Sequence, residues 1–110
     1  MELPKGVLYM NKEYGIVTTQ KEIDAYNIVR SILRKDVDVA RVSYTDYKTY
    51  FVISVDKSWK WVCRFYFNWK MYISFPLEEG KGDEKIEIKS IDEIFNYSDK
   101  LLDVLKNRIQ

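Results

Sequence analysis

The chain has 110 residues, 46% of them apolar and 15% aromatic, with 18 Lys plus Arg against 17 Asp plus Glu and no histidine, a formal charge of +1. That size and apolar share suit one domain over residues 1–110 with its own core. Near-neutral charge argues against a protein whose affinity comes from long duplex DNA, and the lack of imidazole removes the commonest acid–base catalyst. No apolar run reaches the roughly 18 residues of a membrane span, and MELPKGVLYM lacks the basic and apolar regions of a signal peptide. A cytoplasmic protein with no membrane partner is expected.

In chain order, residues 1–17 read as an N-terminal extended arm carrying Val7, Leu8, Tyr9, Ile16 and Val17. Thr19 followed three residues later by Glu22 is a capping box, and Ile23, Tyr26, Val29 and Leu33 then recur at helical spacing, which predicts a helix over 22–33. From Val37 to Phe75 the period changes to two. Turn-like breaks near Asp46, at Asp56 to Ser58 and at Asn68 to Trp69 divide it into strands over 39–44, 48–55, 60–67 and 70–75. Connections this short require antiparallel pairing, because a parallel crossover needs about a dozen residues. Residues 78–85 read as a mobile charged loop and Ile86 to Lys89 as a short fifth strand. Ser90 with Glu93 then opens a last helix over 91–105. The fold class is α+β: a four- to five-stranded antiparallel sheet with both helices on one face.

Side chains alternate across a strand. One set, Phe51, Ile53, Val55, Trp61, Cys63, Phe65, Phe67, Met71, Ile73 and Phe75, is apolar and should meet the helices. The other holds Lys48, Tyr50, Val52, Ser54, Lys60, Val62, Arg64, Tyr66, Lys70, Tyr72 and Ser74, joined by Arg41 and Ser43, with no Asp or Glu among them. Tyrosine rings offer stacking surfaces for a base and the cations offer partners for phosphate. The competing explanation is plainer: tyrosines suit strands, and Lys and Arg keep an outer face soluble.

Catalytic patterns are weak. There is no Gly-rich phosphate loop, no GxSxG and no gathered set of metal ligands, so no catalytic residue, metal or cofactor is expected. Cys63 lies in an apolar run without a base to activate it. Asp46 beside Lys48 has the look of half a nuclease site, but the carboxylate that would complete it on the adjoining strand is replaced by Trp61, Cys63 and Phe65.

The run VARVSYTDYKTYFVI, with Arg41, Tyr44, Asp46, Lys48, Tyr50 and Phe51, and the later CRFYFN, with Cys63, Arg64, Tyr66, Phe67 and Asn68, resemble the C-terminal domain of bacterial type I restriction endonuclease-like proteins. IKSIDEIFNYSDKLLDVLK near the C-terminus is similar as well, so the likeness covers most of the chain. The nuclease domain of that family is not in this sequence. The resemblance implies a stand-alone, non-enzymatic binding module of phage or bacterial origin.

The leading expectation is recognition of a nucleotide-type anionic ligand by Arg41, Lys48, Tyr50, Arg64, Tyr66, Asn68 and Tyr72, with sequestration of a nucleotide signal in phage–host defence as its role. The alternatives are a DNA-binding accessory domain of a restriction or defence system and a protein-interaction module anchored by Trp59, Trp69 and Tyr72. Trp59, Trp61 and Trp69 read as a cluster around one hairpin, too many indoles for so small a core, which predicts a homodimer.

Overall fold

The computed structural model describes residues 3, 5–11, 13–77 and 81–109. Strands β1 (Val7–Asn11) and β2 (Ile16–Thr19) form an antiparallel hairpin, so the N-terminal arm is itself a small sheet. Gly15 supplies the turn at φ 68°, a left-handed conformation that costs glycine little. Helix α1 (Gln20–Leu33) starts where the capping box places it. The Thr19 N–H donates to the Glu22 carboxylate at 2.9 Å, and Thr19 Oγ1 accepts from the Glu22 N–H at 3.2 Å. Ala25, Val29 and Leu33, one per turn, bury a single stripe.

After a 3-10 turn at Val39–Arg41, strands β3 (Val42–Asp46), β4 (Phe51–Val55), β5 (Trp61–Tyr66), β6 (Met71–Pro76) and β7 (Asp83–Ile88) form one antiparallel sheet in sequence order. The chain closes with a 3-10 segment, Ile91–Tyr97, that runs into helix α2 (Ser98–Ile109). Phe51, Ile53, Val55, Cys63, Phe65, Ile73, Phe75 and Ile88 meet Ala25, Val29, Leu33, Ile94, Leu101 and Leu105 in one core. Both helices therefore pack on the same face of the sheet, as the sequence predicts. Tyr44 also turns inward, stacking on Phe51 and meeting the edge of Tyr26, with ring centroids 4.9 Å apart in each pair.

Several boundaries differ from the sequence reading: the first sheet strand reaches Asp46, and the second begins at Phe51 and not Lys48, leaving Lys48 and Tyr50 in the turn before it. Val39–Arg41 is a 3-10 turn and not the start of a strand, because the Asp38 side chain caps it through the Ala40 N–H at 2.9 Å. The last helix is 3-10 in its first half, Ile91–Tyr97. The last strand begins at Asp83, so 83–85 belong to the sheet and not to a loop; residues 78–80 of that expected loop lie outside the described residues.

One difference lies within a strand and matters most. Ile53 pairs with Cys63 and Ser54 pairs with Trp61, so Val62 is the extra residue of a β-bulge. The bulge resets alternation: Val62 is fully buried in the core, and Trp61 comes to the opposite side of the sheet, beside Arg64. Arg108 of α2 holds this irregularity, its Nε donating to the Trp61 carbonyl at 2.8 Å.

Candidate functional site

The face away from the helices is a grid fixed by strand register. One row runs Val52, Arg64, Ser74, Lys85 across β4 to β7. The next runs Tyr66, Tyr72, Glu87, and because Phe51 opposes Phe65, Tyr50 extends it just before β4. Three tyrosines on successive strands thus lie beside a row holding two cations. The side chains lie down on the sheet: Val52 and Ser74 beneath them are buried, while Arg64, Tyr50, Tyr66 and Tyr72 are half-buried.

Arg64 is the centre of this face. Its guanidinium carbon is 4.0 Å from the Trp61 ring centroid and 4.8 Å from that of Tyr50. Its Nε is buried without a hydrogen-bond partner, and among the described residues no carboxylate pairs with it. A guanidinium packed against two rings has lost much of its rotational freedom, and its planar fork suits a bidentate oxyanion. Beside it Thr45, Tyr47, Tyr50, Ser58, Trp59 and Trp61 line a cavity of about 260 Å³. Tyr50 and Tyr66 are 5.6 Å apart, and Lys85 Nζ sits 3.9 Å over the Tyr66 ring and 5.9 Å from that of Tyr72.

Of the seven residues the sequence singles out, four come together: Tyr50, Arg64, Tyr66 and Tyr72. Arg41 does not join them. It is bound to Asp56 in a two-pronged ion pair, Nε to Oδ1 and Nη2 to Oδ2, both 2.7 Å, because Asp56 takes a left-handed backbone (φ 64°) in the β4–β5 turn and swings toward it. Its cation is spent. Lys48 is exposed beyond β3 with its stem against Gly15, where a Cβ would meet Lys48 Cε at 3.4 Å. Asn68 lies in the β5–β6 turn, donating weakly to the Lys48 carbonyl at 3.5 Å and lining a different groove against the start of α1.

Lys85 and Trp61 were hidden from sequence reasoning. Lys85 fell in the expected loop, although Asp83, Lys85 and Glu87 alternate with Glu84, Ile86 and Ile88 as strand residues should. The same strand corrects the expectation of an acid-free face. Asp83 accepts from the hydroxyl of Ser74, the cross-strand neighbour of Arg64, and Glu87 pairs with Lys89 at 2.7 Å and Lys70 at 4.0 Å; neither acid forms an ion pair with Arg64. Glu87 is held below the usual carboxylate range by the Lys89 ammonium.

Asp46 ends β3 and ties the N-terminal hairpin to the main sheet: the Thr18 hydroxyl donates to its Oδ2 at 2.5 Å, while Oδ1 is buried without a partner. Burial raises its carboxyl above the usual range. Glu22 is raised too, by burial first and in part by repulsion from Asp46, against the opposing Thr19 hydrogen bonds. These two acids are the nearest approach to a nuclease pattern, and among the described residues no three candidate metal ligands gather. Cys63 is fully buried and its thiol is pushed far above the ordinary range by desolvation. The three tryptophans do not form one cluster: Trp59 (69% exposed), in the β4–β5 turn, and Trp61 line the cavity at Arg64, while Trp69 (89% exposed) sits in the β5–β6 turn at the other end of β5. Among the described residues no helix is long and apolar enough to cross a membrane. Compared with protein-family models, curated proteins and solved structures, the chain matches none.

Proposed function

We propose that the chain is a non-enzymatic binding module for a nucleotide-type anion, seated on the sheet face around Arg64. The observation that carries the reading is the state of that guanidinium: among the described residues no acid pairs with it, one of its nitrogens is buried without a partner, and it packs against the rings of Trp61 and Tyr50. A surface cation kept for solubility would extend into water, where holding it still only costs entropy. A phosphate would complete the fork, and the ring-lined cavity beside it offers a seat for a base.

Near-neutral net charge favours a ligand with few phosphates, because long duplex recognition draws on many cations at once. The resemblance to restriction endonuclease-like C-terminal domains supports placing such a module in restriction or defence, where holding a nucleotide signal is the role we assign. A thermal-shift screen over mononucleotides, dinucleotides, single strands and duplexes tests this. A ligand at 100 times its dissociation constant should stabilise the domain by about 2.7 kcal/mol. No shift with any nucleotide, or a shift that survives Arg64→Ala, rules the site out.

A further inference from the structure

The cations and rings of the sheet face are arranged to take more than one nucleotide unit. Arg64 and Lys85 occupy the same cross-strand row with Ser74 between them, so their backbones are two strand spacings apart, roughly 10 Å. The cavity beside Arg64, about 260 Å³, lies just under the roughly 300 Å³ lower bound of pockets that enclose a drug-sized ligand, which leaves room for one planar ring system. Tyr66 and Tyr72 continue the aromatic row on the far side, outside that cavity, with Lys85 alone above them. A mononucleotide at Arg64 would leave this second half unused.

Resting on the reading of Arg64 as an anion site, we infer that the ligand is a phosphodiester-linked pair of nucleotides. The first base enters the cavity beside Trp61 and Tyr50, with its phosphate on Arg64. The second base lies on Tyr66, with the next phosphate taken by Lys85. Lys85 occupies that ring in the free protein: its ammonium 3.9 Å over Tyr66 holds the place a base would take, and a long flexible stem lets it follow a phosphate instead. The tyrosine row ends at Glu87 on β7, the edge strand of the sheet, and Glu87 is already paired with Lys89 and Lys70, so the face offers no third ring for a further base. Two units is the length the face accommodates. Such a pair could be a free dinucleotide or two successive nucleotides of a single strand, since both present the same bases and phosphates.

The test is titration of intact protein, followed by tryptophan fluorescence, with a mononucleotide, the corresponding 5′-phosphorylated dinucleotide and a single-stranded dodecamer. The dinucleotide should bind about tenfold or more tighter than the mononucleotide, the gain expected from one further stacked base. Lys85→Ala, a change at an exposed edge-strand position, should cut that ratio to below about threefold, and Tyr66→Leu should do the same. A dodecamer that binds far more weakly than the dinucleotide assigns a free dinucleotide, one that equals it after correction for its multiple registers assigns a segment of single strand, and a further gain means that more than two units are held and overturns the two-unit inference. If the mononucleotide binds through Arg64 but the dinucleotide adds nothing, or if Lys85→Ala leaves the ratio intact, the two-unit inference falls and the anion site stands. If no nucleotide binds at all, the anion site falls with it.

Discussion

The guanidinium carbon of Arg64 lies 4.0 Å from the centroid of the Trp61 ring and 4.8 Å from that of Tyr50. This contact makes Arg64 a fixed group instead of a waving one, and it separates Arg64 from Arg41, whose charge is already consumed by Asp56. Arg64→Ala should weaken nucleotide binding by about 1.5–3 kcal/mol, the range for a hydrogen bond to a charged group. Arg64→Lys should recover only part, because an ammonium cannot form the two parallel bonds. Arg41→Ala should change affinity by less than about twofold, within what a screened surface charge contributes. Isothermal titration of the three variants decides it, and equal losses for Arg41→Ala and Arg64→Ala would mean that the face acts only through its overall charge.

The β-bulge is testable apart from any ligand. Val62 is fully buried, where plain alternation along β5 would put it on the outer face with Arg64. Val62→Ala should therefore cost about 1.5–3 kcal/mol in urea denaturation, and Val62→Lys should leave no cooperative transition, since a core lysine has no partner there. A Val62→Lys protein as stable as the parent would place Val62 outside and Trp61 back in the core.

What could be read from sequence follows from what each signal depends on. The α1 start at Thr19 and Glu22 is local chemistry between residues three apart, and the structure has it as expected. The paired strands and the single helix-bearing face follow from period-two and period-3.6 patterns and short turns, also legible. The bulge is not, because nothing in WVCRFYF marks which residue a partner strand will skip; Ser54 on the neighbouring strand takes Trp61 as its partner, and Arg108, far along the chain, holds the Trp61 carbonyl. Arg41's loss to Asp56 is of the same kind, since fifteen residues separate the partners and a left-handed turn joins them. Lys85 was legible in principle, as the alternation of DEKIEI is a strand signal, but its charge and the preceding glycines outweigh it.

Cys63 should be silent to thiol reagents in the folded protein. It is fully buried and its thiol is held protonated by desolvation, so the thiolate that would attack is scarce and enclosed. Labelling with an alkylating reagent should follow the denaturant transition, with no reaction before unfolding begins. Cys63→Ser should cost about 1–3 kcal/mol by burying a hydroxyl without a partner. Rapid labelling under native conditions would contradict the placement of β5.

The last expectation concerns pH and the joint between the hairpin and the sheet. Asp46 and Glu22 are both raised above their unfolded values, chiefly by burial, so each favours the folded state when protonated. A raised folded pKa contributes stability that is fully present below the unfolded value, about 4 for these side chains, and is lost as pH rises through the folded one. Asp56 and Glu87 act in the opposite sense, since their lowered carboxyls contribute above the unfolded value and lose that contribution as pH falls. The Asp46 and Glu22 term therefore lowers Tm as pH climbs from about 4 toward neutrality. Asp46→Asn keeps an acceptor for the Thr18 hydroxyl and removes the buried charge, so it should raise Tm at pH 7 and flatten the slope. Thr18→Val removes the hydrogen bond that favours the charged form; it should lower Tm at neutral pH and leave the slope steeper than in the parent. Thermal melts of the parent and both variants across pH 4 to 8 check this, and an unchanged profile in Asp46→Asn would show that the joint does not titrate in that range.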